Sequence, residues 1–384
     1  MSADGRYVAF SSDASNLVAG DSNGRTDVFL HDAQTGTTTR VSVDSAGGEG
    51  NQVSIAPSIS ADGRYIAFMS AADNLVAGDS NVGWDVFLHD TQTGATTRIS
   101  VDSAGGEGNG DSMLPSISAD GRFIAFMSVA TNLVGGDTNG FTDIFLHDTQ
   151  TGATTRVSVD AAGVESNDHS NRPALNEDGR YIAFTSEATN LVAGDGNGRT
   201  DIFLHDTQTG ATTRVSVDSS GNEANGSSGR YRPAISADGR YIAFVSGATN
   251  LVTGDSNGRR DVFLHDTQTG TTRVSVDSAG VEANFGSDNG PAISADGRYI
   301  AFSSGATNLV AGDTNGFTDI FLHDTQTGAT NRVSVDAAGV ESNGHSSYLA
   351  ISADGSYVAF QSDASNLVAN DTNGRRDVFR APRQ

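Results

Sequence analysis

Ser60-Ala61-Asp62-Gly63-Arg64-Tyr65-Ile66-Ala67-Phe68-Met69-Ser70 decides the fold of this chain, because versions of it occur seven times. Its Asp-Gly pair returns at Asp4, Asp120, Asp178, Asp238, Asp296 and Asp354. The steps are 58 residues, apart from one of 60 between Asp178 and Asp238. A fixed period of this size marks a repeat architecture, whereas 384 residues alone would suggest two or three unrelated domains. The whole of 1–384 is therefore read as one domain of about 58-residue repeats.

The second copy shows what each repeat must form. Pro57–Ser60 reads as a short strand, A. Ser60-Ala61-Asp62-Gly63 is a tight turn, with glycine free to take positive φ. Tyr65–Ser70 is strand B, and Asp85–Asp90 is strand C. Thr91-Gln92-Thr93-Gly94 is a second tight turn, leading to strand D at Thr97–Val101. Two long loops, Ala71–Trp84 and Asp102–Leu114, complete the unit.

Strands B and C are continuous apolar runs, as expected for strands covered on both faces. No segment has helical periodicity, so sheets must cover sheets. Four-stranded antiparallel units stacked face to face around an axis meet this demand, and that is an all-β β-propeller. Strands B and C occur seven times, D six times and a full A six times, which predicts seven blades with the first and last truncated. Six blades is the alternative.

Ser-Ala-Asp-Gly-Arg-Tyr-Ile-Ala-Phe, present in every copy with small changes, and Asp-Val-Phe-Leu-His-Asp-Thr-Gln-Thr-Gly, present likewise in the first six and begun in the seventh, resemble the TolB-like, WD-repeat-like propeller family of bacteria. This chain has Ala61 and Ala119 where that family usually has Pro, and its loops are longer. The resemblance implies a propeller used for protein interaction or placed beside a hydrolase domain. It also implies a secreted, periplasmic or cell-surface location. It brings no catalytic residues.

Composition narrows the function. Net charge is −24, and all 23 basic residues are Arg. Such a surface repels nucleic acid and anionic membrane. No apolar run is long enough to span a bilayer. Cys is absent, which removes disulfides, thiolate zinc and thiol catalysis. The opening Met1-Ser2-Ala3-Asp4-Gly5 is no signal peptide and reads as a repeat cut open.

In an antiparallel unit the A–B and C–D turns share one end and the long B–C and D–A loops the other, where binding usually lives. Variation between copies gathers just before strand A, at Met113, Leu114, His169, Arg172, Arg230, Tyr231, Arg232, Phe285, His345 and Tyr348. Aromatic residues and Arg carry binding energy at interfaces. These residues are the candidate contacts for a protein or carbohydrate partner, on a molecule expected to be a monomer and not an enzyme.

The second candidate is the loop Gly-Asp-x-Asn-Gly-x-x-Asp. It supplies Asp21, Asn23 and Asp27; Asp79, Asn81 and Asp85; Asp137, Asn139 and Asp143; Asp195, Asn197 and Asp201; Asp255, Asn257 and Asp261; Asp313, Asn315 and Asp319; and Asp371, Asn373 and Asp377. Oxygen ligands in a Gly-containing turn suit Ca²⁺, and Glu49, Glu107 and Glu165 are near enough in sequence to join. The competing reading is a turn in which Asp and Asn side chains cap backbone donors. A calcium-stabilised structural array, or a duplicated or engineered fragment with no function of its own, are the alternatives to a binding propeller.

Two further patterns are set aside. Gly20-Asp21-Ser22-Asn23-Gly24 matches a nucleophile elbow but no helix follows. His31, His89, His147, His205, His265 and His323 repeat at the end of strand C, which predicts a structural hydrogen bond to the C–D turn.

Overall fold

The chain is described by a computed structural model covering residues 1–383. It is an all-β propeller of seven blades, with no helix among the described residues. The first sheet is β1 (Tyr7–Ser12), β2 (Asp27–Asp32) and β3 (Thr37–Arg40). The second is β4 (Ser54–Ile59), β5 (Tyr65–Ser70), β6 (Asp85–Asp90) and β7 (Thr96–Arg98). The third is β8 (Ser112–Ile117), β9 (Phe123–Ser128), β10 (Asp143–Asp148) and β11 (Thr154–Arg156). The fourth is β12 (Ser170–Leu175), β13 (Tyr181–Ser186), β14 (Asp201–Asp206) and β15 (Ala211–Arg214). The fifth is β16 (Ala234–Ile235), β17 (Tyr241–Ser246), β18 (Asp261–Asp266) and β19 (Gly270–Arg273). The sixth is β20 (Ala292–Ile293), β21 (Tyr299–Ser304), β22 (Asp319–Asp324) and β23 (Thr330–Arg332). The seventh is β24 (Ser346–Ile351), β25 (Tyr357–Ser362) and β26 (Asp377–Pro382). The six-blade alternative is thereby excluded, and the first and last sheets have three strands each, as expected.

The chain divides into two compact units, 1–194 with 204–213, and 195–203 with 214–384. Within the first, the period of two along a strand explains the packing. Ile66, Phe68 and Phe87 of the second sheet face Val28, Leu30 and Val41 of the first. The alternate residues Ala67, Val86 and Leu88 face Ile124, Phe126 and Phe145 of the third. Both faces of B and C are dry, which is why these strands lack polar alternation. Phe68 and Phe87 are directly opposite in register, with ring centroids 5.9 Å apart and no exposure. Each such buried ring contributes roughly 2–3 kcal/mol.

Strands B and C fall where the sequence placed them. Strand D is shorter, Thr96–Arg98, although Ile99 N still donates to Val86 O at 2.7 Å. Strand A starts earlier, at Ser54. Ser54 and Ile55 pair with Ser70 and Met69, the register slips, and Ser58 and Ile59 pair with Ala67 and Ile66. Pro57 has no N–H to donate, and a β-bulge carries the chain past it.

The two ends of a blade are fastened differently. At the short-turn end Arg64 Nε and Nη2 grip both oxygens of Asp90 at 2.9 and 2.7 Å, and the guanidinium lies 4.6 Å from the Tyr65 ring centroid. Five other copies repeat this pair, from Arg6–Asp32 to Arg298–Asp324. The turn glycine is also a junction between blades. Gly63 has φ +77°, and a Cβ there would lie 2.4 Å from Tyr7 of the preceding copy. At the other end the long loops knit neighbours together, with Asn74 Nδ2 donating to Glu49 O at 2.9 Å.

Candidate functional site

The acidic loop lies at the long-loop end, between strands B and C. Asn23 makes the turn: its Oδ1 accepts from Arg25 N at 2.7 Å, and its Nδ2 donates to Asp27 Oδ2 and to Gly50 O. Asp27 Oδ1 accepts from Ser42 Oγ of the chain beyond strand D at 2.6 Å. Two of the three predicted ligands thus fasten the turn. Glu49 joins Asp21 and Asp27 instead, accepting from Ser22 N and from Arg40 Nη1 at 2.6 Å. Arg40 Nη1 also stands 3.5 Å from both Asp21 and Asp27.

A guanidinium from strand D therefore sits among three carboxylates. The arrangement recurs as Arg98 with Asp79, Asp85 and Glu107, and as Arg156 with Asp137, Asp143 and Glu165. It recurs again around Arg273 and Arg332. In the fourth copy Arg214 pairs with Asp195 and Glu223. In the seventh, Asp371 and Asp377 meet no arginine among the described residues, and Asp377 accepts only from Asn373 Nδ2, at 2.9 Å to Oδ2. The sequence reading missed these arginines. Their signal was the Arg that ends every D strand.

One positive charge does not balance two buried aspartates and a partly exposed glutamate. Burial pushes Asp79 up to about 6, with Arg98 opposing. It pushes Asp21, Asp137, Asp195, Asp255 and Asp313 in the same direction. The Asp255 side chain is 1% exposed, and neither of its oxygens has a hydrogen bond. Carboxylate oxygens of Asp79, Asp85 and Glu107, and likewise of Asp137, Asp143 and Glu165, lie within 4.8 Å of one another, a spacing that can hold a metal ion. Chemically these clusters are cation seats, each already holding one arginine.

The variable positions before strand A prove to be part of it. Met113 and Leu114 lie in β8, Arg172 in β12 and Tyr348 in β24. They were expected in the preceding loop. They are drawn into the sheet because the chain re-pairs with strand B upstream of the bulge. At that bulge Ala56, Leu114, Arg172 and Tyr348 have φ of 55°, 52°, 56° and 47°, the left-handed region. In the fifth and sixth copies strand A shrinks to two residues, and Arg230, Tyr231, Arg232 and Phe285 lie in the loop before it. Tyr348 is 67% exposed and Phe285 46%, with Arg259 stacked 4.9 Å from the Phe285 centroid; Met113, Leu114, Arg172, Tyr231 and Arg232 are half-buried. His169 and His345 have a local role: each Nδ1 accepts a backbone N–H, from Thr142 and Thr318, at 3.0 Å, and each ring meets Phe141 or Phe317 edge-on.

The strand-C histidines fasten the C–D turn, as the sequence suggested. His89 Nδ1 lies 2.9 Å from Thr96 Oγ1, and that hydroxyl donates to Val43 O of the preceding copy. The threonine's one proton is committed to Val43, so the histidine must donate through Nδ1–H. Burial lowers the pKa of His89, His147, His205, His265 and His323, which keeps the rings neutral.

No protein-family model matches this chain, and no curated protein does. Solved structures do. The oligogalacturonate lyase of Vibrio parahaemolyticus superposes with TM-score 0.58 at 14% identity, covering 100% of this chain and 88% of its own. The propeller domain of the Trilobed protease from Pyrococcus furiosus gives 0.58 at 13%, covering 98% and 90%. TolB from Acinetobacter baumannii gives 0.46 at 18%, and this chain, with 84% of its residues covered, spans 62% of TolB. Identities this low carry the propeller fold alone, and the fold hosts both enzymes and non-enzymes.

Proposed function

We propose that this chain is a non-enzymatic binding or scaffold propeller that presents its bulged A strands to a protein or carbohydrate partner. An exported location, implied by the motif resemblance, belongs to the same reading. The carrying observation is the row of left-handed, non-glycine residues at one structural position: Ala56, Leu114, Arg172 and Tyr348. A side chain in that conformation costs about 1–2 kcal/mol. Strain retained where the chemistry differs from copy to copy, while the framework repeats, points to use of those side chains. In the first unit β4, β8 and β12 are neighbours, with Ser58 Oγ accepting from Ile117 N and Ser116 Oγ from Leu175 N, so three of these bulges form one row. Against catalysis stands the repetition itself, since the arginine–carboxylate clusters and the strand-C histidines each occur in several equivalent copies.

The test pairs a glycan array and a displayed library of folded domains with the variant Leu114→Gly/Arg172→Gly. Glycine relieves the strain, so the fold should hold while ligand capture by the parent chain is lost. Unchanged capture by the variant removes the row from consideration.

A second reading has its own support: Ca²⁺ bound by the acidic clusters. It rests on the Asp255 carboxylate, buried without hydrogen bonds, and on three carboxylates per arginine. An ion that binds only the folded chain adds about 2.7 kcal/mol at 100 times its dissociation constant. Melting curves in CaCl₂ and in EDTA decide it, and coincident curves dismiss tight calcium sites.

A further inference from the structure

Twelve of the 23 arginines repeat at two framework positions, the turn after strand A and the end of strand D. Four others belong to one copy, the fifth. Arg230 and Arg232 precede its strand A, and Arg259 and Arg260 lie in its B–C loop. The first pair sits where the repeat is longest. Pro233 follows Asn225 by 8 residues, whereas Pro173 follows Asn167 by 6, which accounts for the single 60-residue step.

The run 285–290 of the next copy brings the two pairs together. Ser287 N donates to Arg260 O at 2.9 Å. A Cβ on Gly286 would lie 3.7 Å from Arg259 Cβ, and one on Gly290 only 2.8 Å from Arg232 O. Two rings stand with the arginines. The Arg259 guanidinium lies 4.9 Å from the Phe285 centroid, and that of Arg230 lies 5.8 Å from the Tyr231 centroid. Arg230, Arg259 and Phe285 are exposed, and Tyr231, Arg232 and Arg260 are half-buried.

Acidic side chains withdraw from the same place. The residue just after strand B is Glu187 in the fourth copy and Asp363 in the seventh, but Gly247 in the fifth and Gly305 in the sixth. The space is used by the patch. A Cβ on Gly247 would lie 3.8 Å from Arg260 Cγ, and one on Gly305 would lie 3.1 Å from Phe285 Cδ1. Asp288 stands 3.5 Å from Arg260, but those side chains are 56% and 40% exposed, so the pair is weak.

The result is a cationic, aromatic patch on a chain whose net charge is −24. We propose that it binds a short extended acidic peptide, one with several Asp or Glu residues around an apolar side chain. Guanidinium groups from two loops match carboxylates spaced along a chain, each able to make a two-point, charge-assisted contact. Tyr231 and Phe285 offer ring faces to the apolar side chain between those acids. Arginine clusters recognise acidic motifs in this way. A long polyanion would run on over the acidic remainder of the surface and be repelled. The patch is separate from the bulges of the first unit, so it stands or falls independently of the reading above.

The probe is a synthetic peptide, Glu-Asp-Glu-Leu-Glu-Asp, capped at both ends and titrated calorimetrically into the full chain. One-to-one binding that weakens as salt is raised is expected. Arg230→Gln/Arg259→Gln should weaken it at least about tenfold. Arg25→Gln is the control: it occupies the place of Arg259 in the first copy, outside the patch, and should leave the affinity unchanged. Melting followed by circular dichroism verifies that the variants fold. Four outcomes overturn the proposal: no binding at millimolar peptide, equal binding of the amide peptide Gln-Asn-Gln-Leu-Gln-Asn, equal weakening by Arg25→Gln, or tighter binding of a sulfated hexasaccharide or a thymidine decamer at the same arginines.

Discussion

Replacing Arg98 by Met tests whether the arginine holds its cluster together. The guanidinium is 10% exposed and faces Asp79 and Asp85 side chains that are 4% and 2% exposed. Methionine keeps most of the volume and removes the charge, leaving buried carboxylates unpaired. Breaking a buried pair in this way costs about 3–5 kcal/mol. Glu107 is partly wet at 18% exposure, so the lower end, about 3 kcal/mol at pH 7.5, is expected. With an unfolding entropy near 2.1 cal/mol/K per residue, that lowers Tm by roughly 7 °C if the first unit unfolds by itself, or roughly 4 °C if the whole chain unfolds together. The chain has a single tryptophan, Trp84, in the same B–C loop as Asp79, so its fluorescence follows this blade during urea denaturation. Arg98→Met/Asp79→Asn should recover part of the loss, and the cost should shrink towards pH 4.5 as Asp79 protonates. A cost under about 1 kcal/mol, or one that ignores pH, refutes the assignment of Arg98 as the charge that holds these acids.

Asp79→Asn alone should raise stability at pH 7.5. Asp79 titrates near 6 when folded and at 3.8 otherwise, so its destabilising charge is present above pH 6 and disappears as pH falls towards 4; an equal gain at pH 4 contradicts this. His147→Gln should cost about 1 kcal/mol at pH 7.5. The cost should narrow at pH 5.5, because the unfolded ring takes up a proton below 6.5 while the folded ring, its pKa lowered, resists it; urea titrations at the two pH values give the comparison. Gly63→Ala and Gly94→Ala separate conformation from contact. Both have φ near +75°, but only the first would drive a Cβ into Tyr7. Gly94→Ala should cost about 1 kcal/mol and Gly63→Ala at least twice that; equal melting temperatures would remove the Tyr7 contact from the account.

The blade was legible because its signals are local. Tyr65–Ser70 and Asp85–Asp90 announce themselves by apolar run and tight turn, and the doubly covered face follows from the absence of any helix. Strand A was misjudged at its start because pairing of Ser54 and Ile55 depends on a bulge, which a left-handed Ala56 permits and no local propensity predicts. The acidic loop was found but half understood. Asn23 and Asp27 cap the turn as the competing reading held. The contact of Arg40 with Asp21 and Glu49 is tertiary, and no spacing rule within the loop reveals a partner supplied by another strand.

The tyrosine-on-glycine junction reaches beyond stability. Tyr65 meets Gly121 as Tyr7 meets Gly63, and Tyr241 meets Gly297 as Tyr299 meets Gly355. Within each compact unit, a copy offers its successor the same surface that it received from its predecessor. Deleting or inserting one whole period in the gene therefore rejoins faces that already match. Recombination between copies can change the length of the array without inventing a new contact.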